Sequence, residues 1–282
     1  MTLRDILLHI DCYPEATSTA AIDQAVSFAA GFGARLSALA VEVQIPVHSN
    51  AFTDRLVGLT QTARDEEARS RRAAGEGLAY FTAQATKAGI FGEAVLGKAH
   101  HLGVPAYVAN RVRTRDLCIL PLGIRFDGQQ EVAQGVMFGS GRPVLVFGTD
   151  APARPAPTPG VVVVAWDGSR CAARALADAL PILVLARDVR ILTVLSDKPE
   201  AIAAAAVEAQ QHLERHGIGA TLDTIDGGGE PIGMTLDRYL KGLSPYLLVM
   251  GAYGHSRLQE FLLGGATEHM LRSPVVPVLM SH

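Results

Sequence analysis

Three glycines carry the most chemistry in this chain: Gly251, Gly254 and Gly264, in the spacing Gly-x2-Gly-x9-Gly. The apolar run Leu247-Leu248-Val249-Met250 stops on the first of them, and Gly265, Ala266 and Thr267 follow the last. Glycine has no Cβ, so its backbone N–H can approach an anion closely. The amphipathic stretch from Glu268 to Leu271 reads as part of a final helix. A helix N-terminus adds unpaired donors and partial positive charge. The pattern reads as a buried strand, a turn, a short helix, a glycine corner and a final helix, together a phosphate cradle. A carboxylate, Asp167, ends another apolar run, Val161 to Trp166. It can accept from a sugar hydroxyl or a base amino group, and it suits no phosphate.

These residues need a scaffold, and the chain supplies one twice. In the first half, strands are expected at Ile6 to Asp11, Leu36 to Val43, Glu93 to Leu96, Asp116 to Pro121 and Pro143 to Phe147. Helices are expected at Ser18 to Gly31, with Thr17 or Ser18 as cap, at Leu56 to Thr86, as one helix or as two with a break near Gly75-Glu76-Gly77, and at Val104 to Arg113. In the second half, strands are expected at Val161 to Asp167, Asp188 to Leu195, Ala220 to Ile225, Leu247 to Gly251 and Val275 to Met280. The helices between them run from Arg170 to Ala186, kinked or ended by Pro181, from Pro199 to His216 and from Ile232 to Lys241. Asp11 and Asp167 end equivalent strands. The halves are thus a tandem repeat of one α/β unit, with residues 1–148 and 161–282 as domains. Residues 149–160 hold four prolines and read as the linker. Alternating strands and helices imply parallel sheets covered on both faces, with ligands beyond the carboxyl ends of the strands.

On Gly251-x2-Gly254-x9-Gly264 and Asp167, the second half resembles the universal stress protein family, whose ATP-binding members carry Gly-x2-Gly-x9-Gly-(Ser/Thr). The order of elements extends the resemblance over nearly the whole chain. It implies two tandem Rossmann-like, doubly wound, parallel five-stranded sheets in the order 3-2-1-4-5, related by a pseudo-two-fold. It also implies ATP, with or without Mg²⁺, as cofactor. Asp167 would then lie by the adenine or ribose and Val194 beside the base. Gly251, Gly254, Gly264 and Gly265 would hold the ribose and phosphates, with Met250, Ala266 and Thr267 completing the set. Gly265 stands where the family has Ser or Thr, so a hydroxyl is lost there, and Thr267 is the candidate to replace it.

The first half departs further. Pro121 falls at the place of Gly251 and has no N–H to donate, and Ile124 falls at the place of Gly254. Asp11 remains, but the cradle does not, so one nucleotide per chain is expected. The last strands of the two halves are expected to pair with each other, making an intramolecular pseudo-dimer. A further homodimer is left open.

Other constellations carry less. His212 and His216 lie one helical turn apart without an evident third metal ligand. Asp226-Gly227-Gly228-Gly229 reads as a turn before a helix starting near Pro231. Cys12 lies at a pocket mouth with no sign of a low-pKa setting. The chain has 282 residues, 49% hydrophobic and 19% charged, enough for a sizeable core. A net charge of −3 gives no nucleic-acid footprint. Three sparse cysteines fit a reducing compartment. Arg4 and Asp5 interrupt the first apolar stretch, and the run from Ala179 to Ala186 is too short to span a bilayer. A cytoplasmic protein without membrane partners is expected. The leading reading is an ATP-binding stress-response regulator or sensor, with no catalytic residue assigned. A slow ATP hydrolase, or a nucleotide-free scaffold for a partner protein or apolar ligand, are the alternatives.

Overall fold

The computed structural model describes residues 2–46, 59–123, 127–149, 159–195, 199–253 and 265–282. Its strands are β1 (Asp5–Ile10), β2 (Arg35–Gln44), β3 (Phe91–His100), β4 (Leu117–Leu122), β5 (Val144–Gly148), β6 (Val161–Ala165), β7 (Asp188–Leu195), β8 (Ala220–Asp226), β9 (Leu247–Gly251) and β10 (Val278–Ser281). Its helices are α1 (Thr19–Gly31), α2 (Leu59–Lys87), α3 (Val104–Val112), α4 (Asp127–Ser140), α5 (Arg170–Leu183), α6 (Pro199–Arg215), α7 (Ile232–Leu243) and α8 (Ala266–Arg272).

Each half orders its strands 3-2-1-4-5, and the two sheets join into one of ten strands: β3-β2-β1-β4-β5-β10-β9-β6-β7-β8. The join is antiparallel, with Val278 opposite Val146, Leu279 opposite Leu145 and Met280 opposite Val144. Two equivalent last strands running antiparallel give the expected pseudo-two-fold. The pairing also removes two apolar edges that would otherwise be open to other chains.

Period-two alternation divides the strand residues between two cores. One face holds Leu145, Phe147 and Leu279 with residues of α1, α2, α5 and α6. The other holds Val144, Val146, Val278 and Met280 with residues of α3, α4, α7 and α8. Both cores run across the seam, so the halves share buried surface as well as backbone pairing. The central strands are apolar on both sides, as sheets covered by helices require.

The structure corrects several sequence expectations. Of the two alternatives left open for α2, the structure has the single helix, unbroken through Gly75 and Gly77. At Gly77 a Cβ would lie 2.9 Å from Ile10 Cγ2, so this glycine lets the helix approach the sheet. Strand β3 has ten residues instead of four. Helix α5 continues past Pro181 to Leu183. Strand β6 stops at Ala165, which leaves Trp166 and Asp167 beyond the ladder. Helix α4 was not anticipated. Gly135 and Gly139 within it mark a tight crossing with α3: added Cβ atoms there would lie 2.6 Å from Pro105 Cβ and 3.2 Å from Ala109 Cβ. Residues 150–158 of the expected linker lie outside the described residues. Among the described residues no helix is long and apolar enough to cross a membrane.

Candidate functional site

The second-half site starts from three adjacent parallel strands, β7, β6 and β9. Ala165 on β6 pairs with Leu192 on one side and Met250 on the other. The register brings Val194, Asp167 and Gly251 to the same, carboxyl end of the sheet. This is the end where doubly wound sheets bind ligands.

Asp167 is exposed just beyond β6. Its Oδ1 accepts the N–H of Ser169 at 2.8 Å, and Gly168 between them has φ +74°, a left-handed turn that suits glycine. Ser169 then caps α5, its hydroxyl accepting from Ala172 N at 3.1 Å. The first half uses the same device at α1, where Ser18 accepts from Ala21 N at 3.2 Å. Val194 is a half-buried apolar wall next to Gly227.

Gly251 has a packing reason to be glycine. An added Cβ would lie 2.4 Å from Ala172 N and 2.6 Å from the carbonyl carbon of Cys171, both backbone atoms of α5. Tyr253 follows with φ +54°, strained for a residue with a side chain. Its N–H donates to the hydroxyl of Thr267 at 3.1 Å. Thr267 is 3% exposed, and its oxygen accepts from the loop. Gly265 is the N-cap of α8 and supplies no side-chain cap. Gly254 and Gly264, like His255, lie outside the described residues. Among the described residues, the exposed Asp167 carboxylate and the α8 N-terminus, tied to the end of β9 through Tyr253 and Thr267, are the groups a nucleotide could use.

The sequence model of the Universal stress protein family matches residues 160–282. Residues 160–282 are a universal stress protein domain. A universal stress protein of Synechocystis sp. is 32% identical over 121 residues, which are 42% of this chain and 41% of that relative. A universal stress protein from Archaeoglobus fulgidus DSM 4304 has the same fold, with a TM-score of 0.69 over 98% of this chain and 95% of its own at 16% identity. A putative universal stress protein from Pseudomonas aeruginosa UCBPP-PA14 follows, with a TM-score of 0.55 over 99% and 93% at 18% identity. The two solved structures show that both halves share the universal stress protein architecture.

The first half builds something different at the equivalent place. Strand β4 carries Pro121, level with Phe147 of β5. The pairing of β4 with β1 ends at Leu8 and Ile119, so on that side no ladder bond is lost to proline. His9 and Asp11 are both buried at the end of β1. Asp11 Oδ2 accepts from Gln129 Nε2 at 3.0 Å, and Gln129 Oε1 accepts the N–H of Gly123. Gly123 is the counterpart of Tyr253, so each half ties this loop N–H to a side-chain oxygen of the following helix. Cys12 is also buried, donating to Val41 O at 2.8 Å, and burial pushes its thiol pKa up. A reactive thiolate has the opposite requirement.

Sequence reasoning missed Gln129, Gln134 and Phe138, all on α4. The apolar spacing of Val132, Ala133, Val136 and Met137 was the signal that could have found that helix. His212 and His216 stack edge to face, with ring centroids 4.8 Å apart. Among the described residues no group of three His, Cys, Asp or Glu could hold a metal ion.

Proposed function

We propose that this chain binds one adenine nucleotide, ATP, in its universal stress protein domain and acts as a cytoplasmic stress-response regulator or sensor. What supports this reading is the convergence of Val194, Asp167 and Gly251 at one end of β7, β6 and β9, beside an α8 N-terminus without a side-chain cap. Asp167 accepts from the ribose or the adenine amino group, Val194 packs against the base, and the glycine loop with α8 supplies N–H donors to the phosphates. The site requires no nucleophile or metal cluster, so binding rather than turnover is the activity assigned.

The test is the Asp167→Ala protein titrated with ATP, ADP and AMP. Because the carboxylate touches no phosphate, all three lose affinity by the same factor. Loss for ATP with AMP unchanged would remove Asp167 from the sugar and base end. Single-turnover ADP formation separates a binder, which forms none, from a slow hydrolase.

A further inference from the structure

The carboxyl end of the first-half sheet encloses a cavity of about 140 Å³. Its polar floor is His9 and Asp11. Val41, Val43, Pro105 and Val132 form apolar walls. Leu102, 78% exposed, stands at the mouth. The connection from Asp11 to the Ser18 cap is longer than that from Asp167 to Ser169, and its Tyr13 and Pro14 help line the cavity.

His9 Nδ1 lies 3.2 Å from Leu39 O, and Nε2 lies 3.1 Å from Asp11 Oδ1. Glu131 and His101 also line the cavity, and no Lys or Arg is among its described lining residues, so a carboxylate- or phosphate-bearing ligand would meet no guanidinium or ammonium there. Asp11 Oδ2 has one donor, Gln129, and a carboxyl oxygen can accept two. The floor thus offers room for one ligand donor.

Size and donors both exclude a nucleotide. Drug-sized ligand pockets run from roughly 300 Å³ upward, more than twice this volume. Of the N–H groups that would line a cradle, Pro121 at the place of Gly251 has none. A cavity of about 150 Å³ with apolar walls holds one aromatic ring.

We propose that the first half is a second, independent binding site, for a molecule of about one ring bearing a hydroxyl or N–H donor directed at Asp11. The site does not depend on nucleotide binding in the other half.

Phenol is the probe and toluene the control of equal shape, each titrated into the full chain carrying labelled valine methyl groups. Phenol shifts the Val41, Val43 and Val132 methyl signals saturably, with a Kd in roughly the millimolar range for so small a ligand. It binds ~10-fold tighter than toluene through the Asp11 bond. Saturating ATP leaves both titrations unchanged. Val132→Phe fills the cavity and abolishes the phenol shifts at Val41 and Val43. Val43→Phe does the same from another wall if Val132→Phe fails to fold. Absence of any saturable shift, equal affinity for toluene, or undiminished binding in a folded, filled variant would each overturn the proposal.

Discussion

Gln134 Nε2, in the first half, donates a 2.7 Å hydrogen bond to the hydroxyl of Tyr253 in the second. Phe138, one turn along α4, packs with its ring centroid 5.2 Å from that of Tyr253 and 4.6 Å from that of His282. His282 Nδ1 lies 2.9 Å from Ala252 O. The residues entering the glycine loop are thus held by the half that lacks the glycine motif. A non-glycine residue at φ +54° persists only where its surroundings fix it, and Thr267 and Gln134 are two of the groups that do so here. Gln134→Leu should weaken ATP binding although Gln134 lies in the other half. A hydrogen bond of this type is worth about 0.5–1.5 kcal/mol, so the loss is roughly 2- to 12-fold. Calorimetric titration measures it, and unchanged affinity would mean that the first half does not support the loop.

Gly251→Ala tests why that position is glycine. The added Cβ meets backbone atoms of α5 at 2.4 and 2.6 Å, and backbone cannot rotate away. The expected cost is roughly 1–3 kcal/mol, seen as a fall of several degrees in Tm with or without nucleotide. An unchanged Tm in the nucleotide-free protein would contradict the packing role.

Much of this was legible in the sequence. The repeat of strand, acid, capped helix and strand gave the two units, while the strand order and the seam came with the family resemblance. Asp167 and Gly251 could be assigned to strand ends because apolar runs stop at them. Helix α4 is only weakly marked in the sequence, because glycines at 128, 135 and 139 lower its helix propensity. Their purpose is tertiary: Gly135 and Gly139 fit against Pro105 and Ala109, which lie far away in sequence. With the helix went Gln129, Gln134 and Phe138, and so the first-half cavity and the clamp on Tyr253. The bond of Thr267 was hidden for a related reason. Spacing places it in the first turn of α8, and only the fold shows its oxygen accepting from Tyr253.

Tyr246 predicts part of the response to alkali. Burial raises its phenol from the ordinary 10.0 to about 12. Between those values the unfolded chain has lost a proton that the folded chain keeps, so stability falls as pH rises through this window. Below it the group contributes its full stabilisation. The Tyr246→Phe protein lacks this term. Its Tm should fall less than that of the parent between about pH 9 and about pH 11. Equal falls in the two proteins would contradict the assignment.

The most direct test of the central claim is a calorimetric titration of the chain with ATP, beside the same titration of Gly254→Val. The account predicts one ATP per chain in the parent. It predicts no measurable binding in the variant, which replaces a motif glycine by a branched side chain while circular dichroism shows it folded. Two equivalent sites per chain, or full affinity in the folded variant, would contradict it.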